Sequence, residues 1–445
     1  MIWKTCKRLM ASCLGLFGIV AMAADAPLRD AVECTPRGGL PNFYAKCASG
    51  GEVKVAYLGG SITAQNGWRV QSLDYFRKQF PKAKFSEIHA AIGGTGSTLG
   101  AFRLEHDVLR LSPDLVFVEF AVNDASERPE NIIAGMEGIV RKVWTKFPGS
   151  DICFVYTLTD RLLPDLQKGK FPKATTTMEQ VADHYGIPSV HMGLEVARLE
   201  KEGKLQMKAP NAKMTQVSGK ELDQNSPLRV DENGKIPFAQ DGVHPFNDTG
   251  HRLYMEALSR SFPKIKDAGT PGEHKLPTAL RADNLSDTVM LPIDKATLSG
   301  DWKKLSEVEL KKSNMGKELS MRVPSLWKAP VGAEMSFRFK GSRAMMYDIL
   351  GPEGGKLEIT VDGKKSIVTR IDAYGSYNRL STLPLASGLD PSQTHEVKIK
   401  VLGYKLDKEK NLMESRRGDV KANPAKYEPI NWHAGAIFLV GELVQ

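Results

Sequence analysis

The chain has 445 residues, more than one hydrophobic core usually supports, so two domains are the default expectation. Its composition, 41% hydrophobic and 25% charged, is that of a folded globular protein and excludes large-scale disorder. The formal charge of +9 is spread along the chain, not gathered into a basic block, which argues against nucleic-acid reading and leaves mild attraction to anionic surfaces or glycans.

Residues 1–23 read as a signal peptide. Lys4, Lys7 and Arg8 form a positive start, Leu9 to Val20 is apolar but too short to span a bilayer comfortably, and Ala21-Met22-Ala23 offers a small-x-small cleavage pattern. Export to the periplasm or the extracellular space is the expectation. Cleavage would remove three positive charges and no negative one, taking the net charge from +9 to +6. No later run of about 18 apolar residues exists, so no stable membrane insertion is expected of the mature chain. Of five cysteines, Cys6 and Cys13 leave with the signal. Cys34 and Cys47 flank a loop rich in Gly and Pro, where an oxidising compartment would permit a disulfide. Cys153, inside an apolar run, reads as a buried thiol. No CxxC pair or HExxH is present and the nine histidines are not at ligand spacing, so no metal site is expected.

From Val53 onward, short apolar runs alternate with amphipathic stretches. Strands are predicted at Val53–Leu58, Phe85–His89, Leu115–Ala121, Ile152–Leu158 and Pro188–His191. Helices are predicted near 68–80, 99–111, 130–146, 176–185 and 247–261. Near-continuous apolar strands separated by helices imply a parallel sheet covered on both faces, a three-layer α/β/α arrangement over residues 24–265, with a lead-in at 24–52. The polar excursion 203–240 reads either as a substrate-facing flap or as a surface hairpin. Residues 266–282, with two prolines and two glycines, read as a linker. Beyond them, alternating runs at Met335–Phe339, Leu357–Val361, Glu396–Val401 and Ala436–Val440, and an Asp362-Gly363 turn, predict an all-β sandwich over 283–445. Trp432 and His433 there are either a sugar platform or sandwich packing.

Four short blocks carry chemistry. Gly59-Gly60-Ser61 follows the first strand, where open α/β sheets place their ligands. Asp241-Gly242-Val243-His244 precedes the last helix. A serine hydroxyl needs a base to take its proton, and a carboxylate on the imidazole's other nitrogen fixes the tautomer. Ala91 to Gly96 and Phe120 to Asp124 follow two further strands. The backbone N–H of Gly94 and the side-chain amide of Asn123, with the N–H of Ser61, would make a three-donor oxyanion hole. Possible substrate-binding residues are Gly60, Gln65, Trp68 and Asp124; Trp68 fits core packing equally well, and Asp124 could instead cap a helix.

In this order the four blocks resemble those of the SGNH (GDSL-like) hydrolase superfamily, over roughly residues 35–262. The resemblance implies a flavodoxin-like fold with about five parallel strands, Ser61 as nucleophile, His244 and Asp241 as its partners, Gly94 and Asn123 as oxyanion donors, and no cofactor. Gly60 departs from the pattern, which usually has Asp before the Ser. The stretches Gly39–Phe43 and Ala56–Trp68 look like exported bacterial members with an appended, jelly-roll-like β-sandwich, which implies carbohydrate O-acetylesterase activity on an O-acylated glycan. An acyltransferase, a lipase or arylesterase, and a non-catalytic glycan-binding protein stay open as alternatives. The oligomeric state is not legible in the sequence.

Overall fold

The computed structural model describes residues 27–210, 226–312, 315, 319 and 322–444. The signal-peptide reading and the middle of the polar excursion lie outside these residues. Strand β1 (Cys34–Thr35) leads into α1 (Pro41–Ser49), β2 (Glu52–Gly59), α2 (Ser61–Ala64) and α3 (Trp68–Gln79). There follow β3 (Lys84–His89), α4 (Ser97–Asp107), β4 (Leu115–Glu119), α5 (Pro129–Lys146) and β5 (Asp151–Tyr156). The sequence continues with α6 (Leu163–Gln167), α7 (Lys173–Tyr185), β6 (Ser189–His191), α8 (Leu194–Lys201), β7 (Leu205–Lys208), β8 (Ile236–Ala239) and α9 (Gly250–Lys266).

Strands β2 to β6 pair in parallel in the order β6-β5-β4-β2-β3, with β1 antiparallel on the β6 edge. The three layers follow from the two-residue period of the strands. Ala56 and Leu58 of β2, Val116 and Val118 of β4, and Phe154 of β5 enter one core with α4, α5 and α7. Their neighbours Val55, Tyr57, Leu115, Phe117 and Val155 enter the other, with α1, α3 and α9. Chain order reverses between β2 and β4, so the loops after these two strands open onto the switch point of the sheet.

The polar excursion is not a hairpin. Its strands β7 and β8 pair in parallel, Leu205 with Ile236 and Lys208 with Ala239, so the chain between them must cross back. No disulfide joins Cys34 to Cys47 either: among the described residues Cys34, Cys47 and Cys153 are all free thiols. The physical reason is direction. Cys47 is buried on the face of α1 turned into the core, while the Cys34 sulfur lies near the Ser261 carbonyl of α9.

Among the described residues beyond α9, all ten strands are antiparallel: β9 (Thr288–Pro292), β10 (Thr297–Ser299), β11 (Lys303–Lys304), β12 (Trp327–Pro330), β13 (Glu334–Leu350), β14 (Lys356–Val361), β15 (Lys364–Thr369), β16 (Arg379–Ser387), β17 (Thr394–Leu402) and β18 (Asn431–Val444). Asp362 and Gly363 both have positive φ, 48° and 79°, as the two-residue turn joining β14 to β15 requires. Trp432 is buried and donates its indole N–H to Asp348, and His433 is buried too, so both are packing residues. The segment after α9 is docked, not free: the N–H groups of Leu280 and Arg281 donate to the buried Glu137 carboxylate of α5. Phe102 of α4 and Phe438 of β18 sit 5.0 Å apart, and Leu285, Tyr347 and Ala436 join the same apolar cluster as α4 and α5. One core thus spans both sheets.

Candidate active site

Ser61 is the first residue of α2, immediately after β2. Its Oγ lies 2.8 Å from His244 Nε2, and His244 Nδ1 lies 2.6 Å from Asp241 Oδ2. A carboxylate can only accept, so the imidazole proton belongs on Nδ1, leaving Nε2 to accept from the Ser61 hydroxyl. The other Asp241 oxygen accepts from the N–H groups of Val243 and His244, both at 2.8 Å. Burial alone would raise the Asp241 carboxyl, but these hydrogen bonds, with the His244 ring foremost, outweigh it and hold the group below the usual carboxylate range. Asp241 therefore stays ionised and able to stabilise an imidazolium. Both side chains are about half exposed, so the serine–imidazole pair opens to solvent instead of a closed channel.

The glycine loop and Asn123 reach the same edge. The Ile92 N–H donates to the Gly59 carbonyl, tying the loop to β2, and Gly93 stands directly beside Ser61. Gly94 has φ +72°, a left-handed turn that side chains resist. The Asn123 side chain lies against Gly60: a Cβ there would fall 1.9 Å from Asn123 Oδ1. Gly60, which has no Cβ, thus lets the amide pack against the chain just before the serine.

The other expected substrate-binding residues have different places. Trp68 is fully buried, with Tyr57 and Phe117 packed against it at 5.5 and 5.8 Å, and so faces no substrate. Asp124 is buried and accepts from the Ser97 N–H at the start of α4, which makes it a helix cap; burial, despite those bonds, pushes its carboxyl up to about 6. Gln65 donates to the Pro245 carbonyl and accepts from His251 Nε2, so it anchors the His244 loop. His251 Nδ1 in turn accepts from the Trp68 N–H, which fixes its neutral tautomer. Burial, then Arg69 and His244, pushes this imidazole down to about 3.

Sequence reasoning missed Glu119 altogether. It ends β4 fully buried and accepts from the hydroxyls of Thr63 at 2.9 Å and Thr157 at 2.7 Å, and from the Gly60 N–H. The one available signal was an acid closing the apolar run Leu115-Val116-Phe117-Val118. A cavity of about 580 Å³ opens beside Gly93, bounded by Ala64 and Ile92 on one side and by Arg322 and Leu380 of the all-β part on the other.

A hydroxyl, an imidazole and a carboxylate in line, at the carboxyl ends of parallel strands, is the arrangement on which serine hydrolases rely. Residues 57–253 match the model of the GDSL-like lipase/acylhydrolase family. Two solved structures of a two-domain esterase (CEX) active on acetylated mannans are similar over both parts. One has a TM-score of 0.66 at 19% identity; the other, co-crystallised with mannopentaose, 0.63 at 18%. Each covers 93% of this chain and 98% of its own. At such identities the likeness is one of fold. No curated protein sequence matches the chain.

Proposed function

We propose that the protein is a serine esterase that removes short acyl groups, acetyl foremost, from a carbohydrate. The observation that carries the reading is the continuous relay Ser61 Oγ–His244–Asp241, with spacings of 2.8 and 2.6 Å. Ser61 attacks the ester carbonyl as His244 takes its proton through Nε2. The carbonyl oxygen becomes an oxyanion facing the N–H groups of Ser61 and Gly94 and the Asn123 amide. His244 then gives its proton to the departing sugar oxygen. A water activated by the same imidazole releases the acid from Ser61.

The match of residues 57–253 to the GDSL-like lipase/acylhydrolase model supports acyl-ester chemistry. The carbohydrate assignment is supported by the shared two-domain architecture with an esterase active on acetylated mannans. The test is acetate release from acetylated mannan, xylan and pectin oligosaccharides, beside synthetic esters of increasing acyl length. Release from at least one glycan, with rates falling beyond short chains, is expected. A preference for long-chain esters with no glycan turned over would refute the carbohydrate reading.

A further inference from the structure

Glu119 does not reach the space where an ester would sit, yet its carboxyl joins both halves of the relay. On one side Oε2 accepts from Thr63, two residues beyond Ser61 in the first turn of α2, and the carboxyl also accepts from the N–H of Gly60, the residue just before the serine. On the other side Oε1 accepts from Thr157 at the end of β5. The chain then runs three residues to Asp160, whose N–H donates to the Gly242 carbonyl inside the Asp241–His244 loop at 3.1 Å. Leu158, between them, donates its N–H to Tyr254 on α9, the helix that follows that loop. Two elements that must meet across a hydrogen bond are thus referenced to one rigid, fully buried group.

We infer that Glu119 is a positioning residue that sets the separation of Ser61 and His244, by tethering the first turn of α2 to the β5 segment beneath the His244 loop. The inference rests on the reading of Ser61 as nucleophile. Burial makes an alternative partner for these donors unavailable: with the carboxyl gone, the Gly60 N–H and two hydroxyls have no water to turn to, and α2 is free to shift.

The experiment uses full-length Glu119→Ala, Glu119→Gln, Thr63→Val and Ser61→Ala proteins on para-nitrophenyl acetate, with thermal midpoints recorded for each. A displacement of about 1 Å in a reacting group costs on the order of 10²-fold, so Glu119→Ala is expected to lower kcat at least tenfold while KM stays within about twofold. Glu119→Gln keeps an acceptor for Gly60 and a polar partner for the threonines, and is expected to restore kcat to within about threefold. Thr63→Val, which removes one tether, is expected to lower kcat by about threefold or more with KM unchanged. A purely structural role would lower the thermal midpoint of Glu119→Ala and leave kcat of the folded protein intact, and that outcome overturns the inference. Should Glu119→Ala not fold, Thr63→Val decides: reduced kcat supports the tether and unchanged kcat overturns it. The two readings fail separately. An active Ser61→Ala protein removes the nucleophile and the tether together, whereas an inactive one beside fully active Glu119 and Thr63 variants removes the tether alone.

Discussion

Gly67 and His251 are packed so closely that a Cβ on Gly67 would fall 2.1 Å from the imidazole Cγ. The ring it touches accepts from the Trp68 N–H and donates to Gln65, which holds the carbonyl of Pro245 next to His244. Gly67→Ala must therefore push the imidazole out of register. The expected cost is about 1–3 kcal/mol of stability from overpacking, together with a fall in kcat as the His244 loop shifts. Thermal or denaturant unfolding and steady-state kinetics on one preparation check both.

Asn123→Ala removes the side-chain amide that we propose faces the oxyanion, and leaves the relay intact. Its expected effect is a loss of about 10²–10³ in kcat with little change in KM. A wild-type kcat in this variant would take Asn123 out of the mechanism.

Acid should destabilise the fold through its buried imidazoles. Burial pushes His251 and His191 down to about 3 and His89, also facing Arg69, Arg322 and Arg103, down to about 4. The unfolded chain takes up these protons near pH 6.5 and the folded chain does not, so the stability they contribute is present above about pH 6.5 and is lost as pH falls toward 4 and below. The thermal midpoint is expected to fall steadily over that window. His251→Gln should make the slope shallower.

In the all-β part, Arg370 donates to Asp348, which is wholly buried and also accepts from Trp432. Burial raises the Asp348 carboxyl, and Arg370 is the largest counterweight. Arg370→Ala leaves that carboxyl without its charge partner and is expected to cost about 3–5 kcal/mol in an unfolding titration.

The three free thiols set a further expectation: reductant should not change the thermal midpoint, because no cystine closes the Cys34–Cys47 loop. A drop in dithiothreitol would indicate a disulfide instead.

The α/β sheet was legible because its strands are nearly all apolar and its helices amphipathic, and the periods of 2 and 3.6 differ sharply there. That Ser61, Asp241 and His244 would lie near one another was legible because Ser61 follows a strand and two glycines, while Asp241 and His244 share one glycine turn before the last helix. Trp68 was not, since an aromatic shortly after a nucleophile reads alike whether it faces a sugar or the core; only α3 packing on β2 and β4 decides. Asp124 and Glu119 were equally ambiguous, because a lone acid after an apolar strand carries no mark of its partner. The parallel pairing of β7 and β8 depends on where β6 and α8 deliver the chain, which local sequence does not encode. The shared core around Phe102 and Phe438 is likewise long-range.

The measurement that bears most directly on the central claim is turnover of a small acetyl ester by Ser61→Ala, with mass spectrometry of the wild-type protein after a serine-directed phosphonate. With Ser61 as nucleophile, the variant loses at least about 10³-fold in kcat, and the wild-type adduct maps to Ser61 and is absent in the variant. Undiminished turnover by Ser61→Ala, or an adduct on another residue, would contradict it.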